Sequence, residues 1–516
     1  MKKALIAAAF VLAAGILFAG SGRQQQAAPK SRDTLVFTFE GDPGNDINTI
    51  STSGRYDLSL ERLLYQPLLN YYGPNDITWL LAESADISAD HQVVTYHLRK
   101  GVVWSDGTPF TAEDVIFTFE HIIKAPYANG QDNFVFDGKP VRFVKKDDFT
   151  LELHYPVFVP NPLEAVSVEH FIMPKHIYQG DPTLDNNPKN QNPVGTGPYK
   201  IAEYRAGQYV RLAANERYWR GTPKIPNLVI QFISDLNSAK LALQKGEIHG
   251  LPISVSDAES LKKSNIQIFP YPEDRVAYLV FNLNSSRVQD INLRKAVFFG
   301  LNRNEMNVGA YISNDYYVNA YSIFPYSNPF YTDTVEKYEQ DTAKSRDYLS
   351  KVQSVPSLRL GYLANNTAQE TQAMVAQQNL KAIGITLELN ALDSALLTVK
   401  MREGSPDYDI YLGGYIMGID PGNYGTLFTT ESPVNYGRFK DPILDGKWVA
   451  GSVEADQTKR REIYHDIQRY IADQAVWFPI VTNKRILAFT PDVDGIAEAR
   501  LIPIYNFEDM SKLFFK

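Results

Sequence analysis

The chain has 516 residues, more than one hydrophobic core usually supports, so we expect two or three lobes. Its hydrophobic fraction of 44% and charged fraction of 21% are ordinary for a globular protein, and a net charge of −8 argues against nucleic-acid or anionic-membrane partners. The absence of cysteine excludes thiol catalysis, cysteine-bound zinc, iron–sulfur clusters and disulfides. We predict no cofactor and no metal.

The N-terminal segment has the pattern of an export signal. Lys2 and Lys3 precede an apolar run at residues 4–18, which is too short to span a bilayer but fits a signal-peptide core. We predict a signal peptide at 1–21 and a polar tether at 22–32. Ser21 stands where a lipoprotein box carries its lipidated cysteine. The protein is therefore either released into the periplasm or, if residue 21 is natively Cys, anchored at the cell surface.

The first elements predicted after the tether are a strand, a loop and a helix. Residues 35–39 (LVFTF) form an apolar strand, and Glu40-Gly41-Asp42-Pro43-Gly44 is a loop rich in turn-forming residues. Helical spacing follows at Leu60, Leu63 and Leu64.

A strand, a turn and a capped helix are predicted between residues 93 and 123. Val94, Tyr96 and Leu98 alternate with more polar residues, which indicates a strand with one buried face. Thr111 can cap the following helix, and Asp114 stands three residues later, as in a capping box.

The amino-acid sequence of this stretch resembles a known family signature. LAES, LRKG and W-SDGTPFTAEDV, between residues 81 and 115, closely resemble the signature of the peptide/nickel-binding family of extracytoplasmic solute-binding proteins of ABC importers. VGTGPY at 194–199 and NERYW at 215–219 resemble the second hallmark of the same family. The two glycines around Thr196 are not followed by the Lys-Ser/Thr of a phosphate-binding loop, so we interpret them as a tight turn.

The resemblance implies a bilobed α/β fold, the type II periplasmic-binding-protein fold, with an additional inserted subdomain and a ligand cleft between the lobes. We place the first lobe at 33–70, 195–275 and 486–516, the inserted subdomain at 71–194 and the second lobe at 276–485. Within the second lobe, a helical stripe at residues 368–383 precedes an alternating strand at 385–389, as in α/β units.

The resemblance also implies where a ligand binds. The strand at 409–415 opens into a loop that ends in Asp420-Pro421-Gly422-Asn423-Tyr424, and the corresponding loop of the family faces the ligand. The candidate ligand-binding residues come from this loop, the first loop and two further places: Glu40, Gly41, Asp42, Trp104, Asn282, Gly414, Tyr415, Ile416, Met417, Gly418, Asp420, Asn423 and Tyr424. Trp104 suits either core packing or ligand stacking, and Asp420 and Asn423 suit either turn formation or ligand contact.

Two departures from the family bear on specificity. Peptide binders of the family place an Asp early in this loop to pair with the ligand's α-amino group, whereas this chain has Met417 and Gly418 at the nearest positions. The family's dipeptide binder holds the carboxylate with an Arg, but residues 365–371 (NNTAQET) contain no basic residue. A longer peptide read through its backbone, or a neutral oligosaccharide stacked on aromatic rings, therefore fits better than a short charged dipeptide.

Enzyme classes find little support in the sequence. There is no HExxH zinc motif and no G-x-S-x-G nucleophile motif, although paired carboxylates of a glycosidase stay open among 59 acidic residues. We predict a non-enzymatic, monomeric binding protein that captures an oligopeptide by lobe closure and delivers it to ABC permease subunits at the membrane. The alternatives are an oligosaccharide-binding protein of the same family, a secreted hydrolase, and a surface receptor that binds without uptake.

Overall fold

The protein is described here from a computed structural model, in which residues 33–516 are described except 53, 168, 234 and 417. The predicted signal peptide and tether, and the candidate residue Met417, lie outside the described residues. Within the described part, no helix has both the length and the apolar composition needed to cross a bilayer.

The described residues form a mixed α/β structure. In chain order the strands are β1 (Thr34–Phe39), β2 (Leu69–Tyr71), β3 (Ile77–Trp79), β4 (Ala82–Ile87), β5 (Val93–Leu98), β6 (Val135–Phe136), β7 (Lys139–Pro140), β8 (Arg142–Asp147), β9 (Thr150–His154), β10 (Tyr199–Arg205), β11 (Tyr209–Ala214), β12 (Asn227–Phe232), β13 (Gly250–Pro252), β14 (Gln267–Phe281), β15 (Tyr317–Asn319), β16 (Leu358–Leu363), β17 (Leu387–Leu392), β18 (Ile410–Tyr415), β19 (Trp477–Phe489), β20 (Val493–Asp494), β21 (Leu501–Ile502), β22 (Asn506–Phe507) and β23 (Phe514–Phe515). The helices are α1 (Arg55–Leu64), α2 (Ala112–Lys124), α3 (Lys175–Tyr178), α4 (Leu236–Lys245), α5 (Val255–Leu261), α6 (Ile291–Gly300), α7 (Arg303–Tyr311), α8 (Thr342–Leu349), α9 (Thr367–Lys381), α10 (Ser394–Glu403), α11 (Pro442–Val453), α12 (Gln457–Gln474) and α13 (Ile496–Ala499).

One large sheet runs through the structure. Its strand order is β10-β11-β12-β1-β13-β19-β14-β18-β16-β17, and β15 pairs beside β19. The pairs β1–β12, β16–β17 and β16–β18 are parallel, whereas β14 is antiparallel to both β18 and β19. Strands from the predicted first lobe therefore occupy one half of the sheet, and strands from the predicted second lobe occupy the other.

Two long strands connect these halves. β14 has 15 residues and β19 has 13. The C-terminal end of β19 pairs with β13, and the C-terminal end of β14 pairs with β18. The lobe boundaries predicted after residues 275 and 485 fall inside these two strands, and the positions of these boundaries stay a prediction.

The pairing between β14 and β19 is interrupted at its middle. Pro272 pairs with Lys484, but the next pair is Val276 with Thr482, so three residues of β14 stand opposite Asn483. The interruption is a β-bulge, a feature that bends a strand and redirects its side chains. The bulged residues are Glu273, Asp274 and Arg275.

A separate four-stranded sheet, in the order β4-β5-β9-β8, contains the strand predicted at residues 93–98. Val94, Tyr96 and Leu98 are buried, which confirms the predicted alternation. The capping box of α2 is also confirmed, because the Thr111 side chain and the Asp114 carboxylate both bond backbone N–H groups at the start of the helix. A cap of this type stabilises a protein by about 1 kcal/mol.

Hydrophobic residues pack on both faces of the second half of the large sheet. One cluster joins β14 to α6 and α9 through residues such as Leu279, Val297 and Leu380. The other cluster contains Tyr278, Tyr424 and aromatic residues of α11 and α12. Helices therefore cover both faces of this half, as expected for an α/β layer.

The VGTGPY segment packs against the end of α1. The amide of Gly197 donates a hydrogen bond of 2.8 Å to the carbonyl oxygen of Leu64. A Cβ placed on Gly195 would lie 1.8 Å from the same oxygen, so only glycine fits at this position. The two glycines therefore allow a close backbone contact between α1 and the segment that leads into β10.

Candidate functional site

The loop after β18 is held in place by a buried ion pair. Asp420 accepts a 2.7 Å hydrogen bond from the backbone amide of Gly422 and a 2.8 Å bond from Nη2 of Arg460 on α12. The Arg460 side chain is only 2% exposed, and its Nε also donates to the Gly451 carbonyl oxygen. A buried guanidinium needs such partners, so the pair fixes the loop to α12.

Glu164 approaches the same loop from the other side. It lies in the short helix Glu164–Val166, within the predicted inserted subdomain. Its Oε1 accepts a 3.0 Å hydrogen bond from the amide of Asp420, and its Oε2 accepts a 2.8 Å bond from the Asn161 side chain. Burial, and then the negative charge of Asp420, raise the pKa of Glu164 to about 7.

Two tyrosines extend from β18 and its loop into the core of the predicted second lobe. The rings of Tyr415 and Tyr424 meet edge to face at a centroid distance of 5.7 Å. The Tyr415 hydroxyl donates to the carbonyl oxygen of Ile323, and Tyr424 is 1% exposed against Phe324. These rings support the loop, and Tyr415 retains a partly exposed surface.

The β-bulge in β14 brings charged residues to the same region. Glu273 accepts hydrogen bonds from Arg55 at 2.7 Å and from the Asn483 side chain at 2.8 Å. Arg275 lies against the last residues of β18. A Cβ placed on Gly414 would be 2.2 Å from its Cζ atom. The guanidinium of Arg275 therefore fills the space that a side chain at position 414 would occupy.

The first loop, Glu40 to Asp42, is fixed by tyrosines. Tyr56 donates a 2.6 Å hydrogen bond to Glu40, and Tyr204 donates a 2.7 Å bond to Asp42. A Cβ on Gly41 would meet the Tyr56 ring at 3.0 Å.

An arginine connects this loop to the bulge. Arg485 lies 3.6 Å from Glu40 and 3.8 Å from Glu273. The first loop, the bulge and the end of β18 are thus linked by direct contacts.

The arrangement supplies polar anchor points and aromatic surface for a ligand. Within residues 33–516, apart from the four masked positions, no group of three or more His, Cys, Asp and Glu residues could hold a metal ion. Carboxylates, backbone amides, a guanidinium and tyrosine rings are the kinds of groups that orient an organic solute in a cleft.

Comparison with known proteins decides the class of the protein. Residues 76–436 match the family described as bacterial extracellular solute-binding proteins, family 5. The chain belongs to this family. A solved structure of the ABC transporter substrate-binding protein CtaP from Listeria monocytogenes is 37% identical, covers 93% of this chain and 99% of its own, and has a TM-score of 0.90.

Curated relatives extend the likeness over nearly the whole chain. The oligopeptide-binding protein AppA of Bacillus subtilis (strain 168) is 25% identical over 514 residues, covering 95% of this chain and 93% of AppA. The dipeptide-binding protein of Escherichia coli (strain K12) is 26% identical over 484 residues, covering 87% of this chain and 89% of that protein.

Membership of the family confirms several predictions. The recognised family and the bilobed binding-protein fold class are confirmed. The protein is the solute-binding component of an ABC importer and is not an enzyme. The family is extracytoplasmic, in agreement with the predicted export.

The structure groups most of the candidate ligand residues of this solute-binding protein. Gly414, Tyr415, Ile416, Gly418, Asp420, Asn423 and Tyr424 lie along the end of β18 and its loop, and Asn423 is exposed. Two candidates lie elsewhere. Trp104 is fully buried beside Phe110, and Asn282 is fully buried with its amide donating to the carbonyl oxygens of Ser405 and Tyr408. These contacts are structural, and a ligand role for any candidate stays a prediction.

Two residues of the region were missed by sequence reasoning. Glu164 lies in a Pro-punctuated stretch without a motif, and Arg275 lies in a strand whose bulge has no sequence signature. For Glu164 the sequence signal is an acid between apolar residues, whereas Arg275 follows Glu273 and Asp274 and is not distinguished by its neighbours.

Proposed function

We propose that this solute-binding protein captures a peptide in a crevice between its lobes and delivers it to the permease subunits of an ABC importer. The ligand is held near the end of β18, and the protein acts as a monomer. Relatives named as oligopeptide- and dipeptide-binding proteins over most of their length support the ligand class.

One observation carries this proposal. The amide of Asp420 donates to Glu164 of the predicted inserted subdomain, while Gly414, at the end of β18, lies against Arg275 in the bulge. Groups from separate parts of the chain therefore meet at a single loop. A ligand placed there would contact both lobes at once.

The proposed mechanism is a shift between open and closed forms. Contacts from both lobes are complete only when the lobes are closed, so a ligand stabilises the closed form by its additional affinity for that form. No covalent bond of the ligand is broken, because the role of the binding protein ends when the permease recognises the closed form.

The test is identification of the bound solute. The protein is purified from its native source or host under mild conditions, denatured, and the released small molecules are analysed by mass spectrometry. We expect peptides, and we expect the emptied and refolded protein to bind them again in titration calorimetry. Recovery of an oligosaccharide, or rebinding of oligosaccharides but not peptides, would contradict the proposed ligand class.

Delivery is tested separately in proteoliposomes that contain the cognate permease and ATPase subunits. We expect the peptide-loaded protein to stimulate ATP hydrolysis more strongly than the empty protein. Equal or absent stimulation by the loaded and empty forms would contradict this part of the proposal.

A further inference from the structure

Arg275 carries a positive charge that no described residue neutralises. The residue is partly exposed, and within the described residues its guanidinium makes no ion pair and no hydrogen bond. The neighbouring Glu273 is occupied by Arg55 and Asn483. A guanidinium presents five N–H donors in a planar fork that matches a carboxylate, so this side chain retains its full capacity to bind one.

The backbone holds Arg275 in this position. Asp274, the preceding residue, has φ 55°, in the left-handed region that non-glycine residues rarely adopt. The bulge formed by these residues turns the Arg275 side chain onto Gly414, and the missing side chain at 414 leaves room for it. The bulge and Gly414 together position the unpaired guanidinium of Arg275 beside the end of β18.

Glu164 is the complementary group at the far end of the loop. A Cβ placed on Gly418 would lie 2.5 Å from Oε1 of Glu164, so this carboxyl group fills the space beside Gly418. Within the described residues it has no cationic partner, because Arg460, the nearby base, is paired with Asp420. Its pKa of about 7 agrees with a carboxyl group that lacks a cation.

We propose that Arg275 and Glu164 select a ligand with a carboxylate at one end and an amine at the other, that is, a short peptide with free termini. This inference rests on the proposed function and narrows its ligand class. It replaces the expectation from the sequence of a longer, backbone-read peptide, because that expectation did not include Arg275 and Glu164. Gly414 and Gly418, which the two charged groups contact, are separated by at most about 14 Å even if the loop is fully extended. An extended peptide that spans this distance has roughly two to four residues, which is the ligand length that we propose.

The first test alters the ligand and leaves the protein unchanged. Mixed peptides of two to six residues are offered in four forms: free, N-acetylated, C-amidated and blocked at both ends. The amount retained by the protein is measured by native mass spectrometry. We expect peptides of two to four residues with free termini to be retained at least about tenfold better than either singly blocked form, since each block leaves one protein charge unpaired.

The second test assigns each terminus to one residue. In Glu164→Gln the penalty for N-acetylation should disappear while the penalty for amidation remains, and Arg275→Gln should show the reverse. Glu431→Gln and Arg142→Gln, at exposed positions without described ion pairs, are the matched controls and should behave like the wild type. Thermal unfolding of each variant confirms that it is folded.

The outcomes separate this inference from the proposed function. Equal retention of free and blocked peptides, or selection of six-residue peptides, would overturn the inference and leave peptide binding intact. Retention of no peptide in any form would overturn the proposed ligand class itself. If both variants kept the wild-type penalties for N-acetylation and amidation, other residues would bind the peptide termini, and the roles of Glu164 and Arg275 would be overturned.

Discussion

At the candidate site, the environment of Glu164 disfavours the ionised form of its carboxyl group. Its carboxyl group accepts hydrogen bonds from Asn161 and from the amide of Asp420, which favour the ionised form. Burial and the neighbouring Asp420 act in the opposite direction and prevail, so the pKa rises from 4.5 to about 7. The proton on this group therefore affects stability near neutral pH.

We predict that Glu164→Gln removes part of the pH dependence of stability of the ligand-free protein. Between about pH 4.5 and 7 the folded protein retains a proton on Glu164 that the unfolded chain has lost, so the free energy of unfolding falls as the pH rises. At about 1.4 kcal/mol per pKa unit, the loss is about 3.5 kcal/mol before allowance for partial exposure to solvent. Above about pH 8 this group is ionised in both states and contributes no further change.

Urea unfolding at pH 5, 6, 7 and 8 checks this prediction. The difference in unfolding free energy between Glu164→Gln and the wild type should shift in favour of the variant as the pH rises. Glu431→Gln, at an exposed position, should follow the wild-type profile. Parallel profiles for Glu164→Gln and the wild type would show that the carboxyl group is ionised throughout this range.

Neither Glu164 nor Arg275 could be found from the sequence, for a physical reason. Glu164 meets Asp420, 256 positions away along the chain, and no local pattern encodes such a contact. Arg275 acts through a bulge that interrupts a strand otherwise continuous in the sequence pattern. By contrast, the loop at 414–424 was found because its Asp-Pro-Gly-Asn residues carry turn chemistry and a family motif.

At the scale of elements, local signals were sufficient. The Thr111 cap and the alternating strand at 93–98 each depend on residues within a few positions, and each appears in the structure as expected. The glycines of the VGTGPY segment were interpreted as a tight turn, whereas in the structure they allow close backbone contact with the end of α1, a partner that was not predictable. That contact joins residues 64 and 197 across the intervening sheet and loops.

We predict that Gly195→Ala severely destabilises the protein. Its Cβ would lie 1.8 Å from the Leu64 carbonyl oxygen, and backbone atoms cannot move aside as a flexible side chain can. The cost should reach or exceed about 3 kcal/mol, the upper part of the range for overpacking. Gly446→Ala is the matched control, because Gly446 lies in α11 with open space around it and should gain about 0.5–1 kcal/mol from helix propensity.

Urea denaturation of both glycine variants provides the measurement. A loss of less than about 1 kcal/mol for Gly195→Ala would mean that α1 and the VGTGPY segment can separate without consequence. Peptide binding by a folded Gly195→Ala protein should remain, because the contact with Leu64 involves none of the candidate ligand residues.

At the scale of the whole molecule, we expect β14 and β19 to determine how the two halves move. They are the strands through which the large sheet passes from one predicted lobe to the other, and their pairing is broken at Glu273 to Arg275. A bulge weakens the ladder locally, so bending is easiest there. The same three residues lie in the bulge and next to the candidate site, so we expect ligand contact to be coupled to lobe movement.

This coupling predicts a distance change on ligand binding. Because the chain has no cysteine, two introduced cysteines are the sole sites for thiol-reactive dyes. Lys139→Cys with Val449→Cys places one dye on the predicted inserted subdomain and the other on the second lobe, both at exposed positions. We expect energy transfer between the dyes to increase when free-termini peptides of two to four residues are added, since the ligand favours the closed form.

A control pair within one lobe distinguishes lobe closure from a local effect of the peptide on the dyes. Met374→Cys with Val449→Cys places both dyes on the second lobe, at positions that are 57% and 64% exposed. Energy transfer in this pair should not change, because the residues belong to the same half of the sheet and its covering helices. If peptide bound with unchanged transfer in both pairs, the two halves would form one rigid body, and the bulge would serve to orient Arg275 without acting as a hinge.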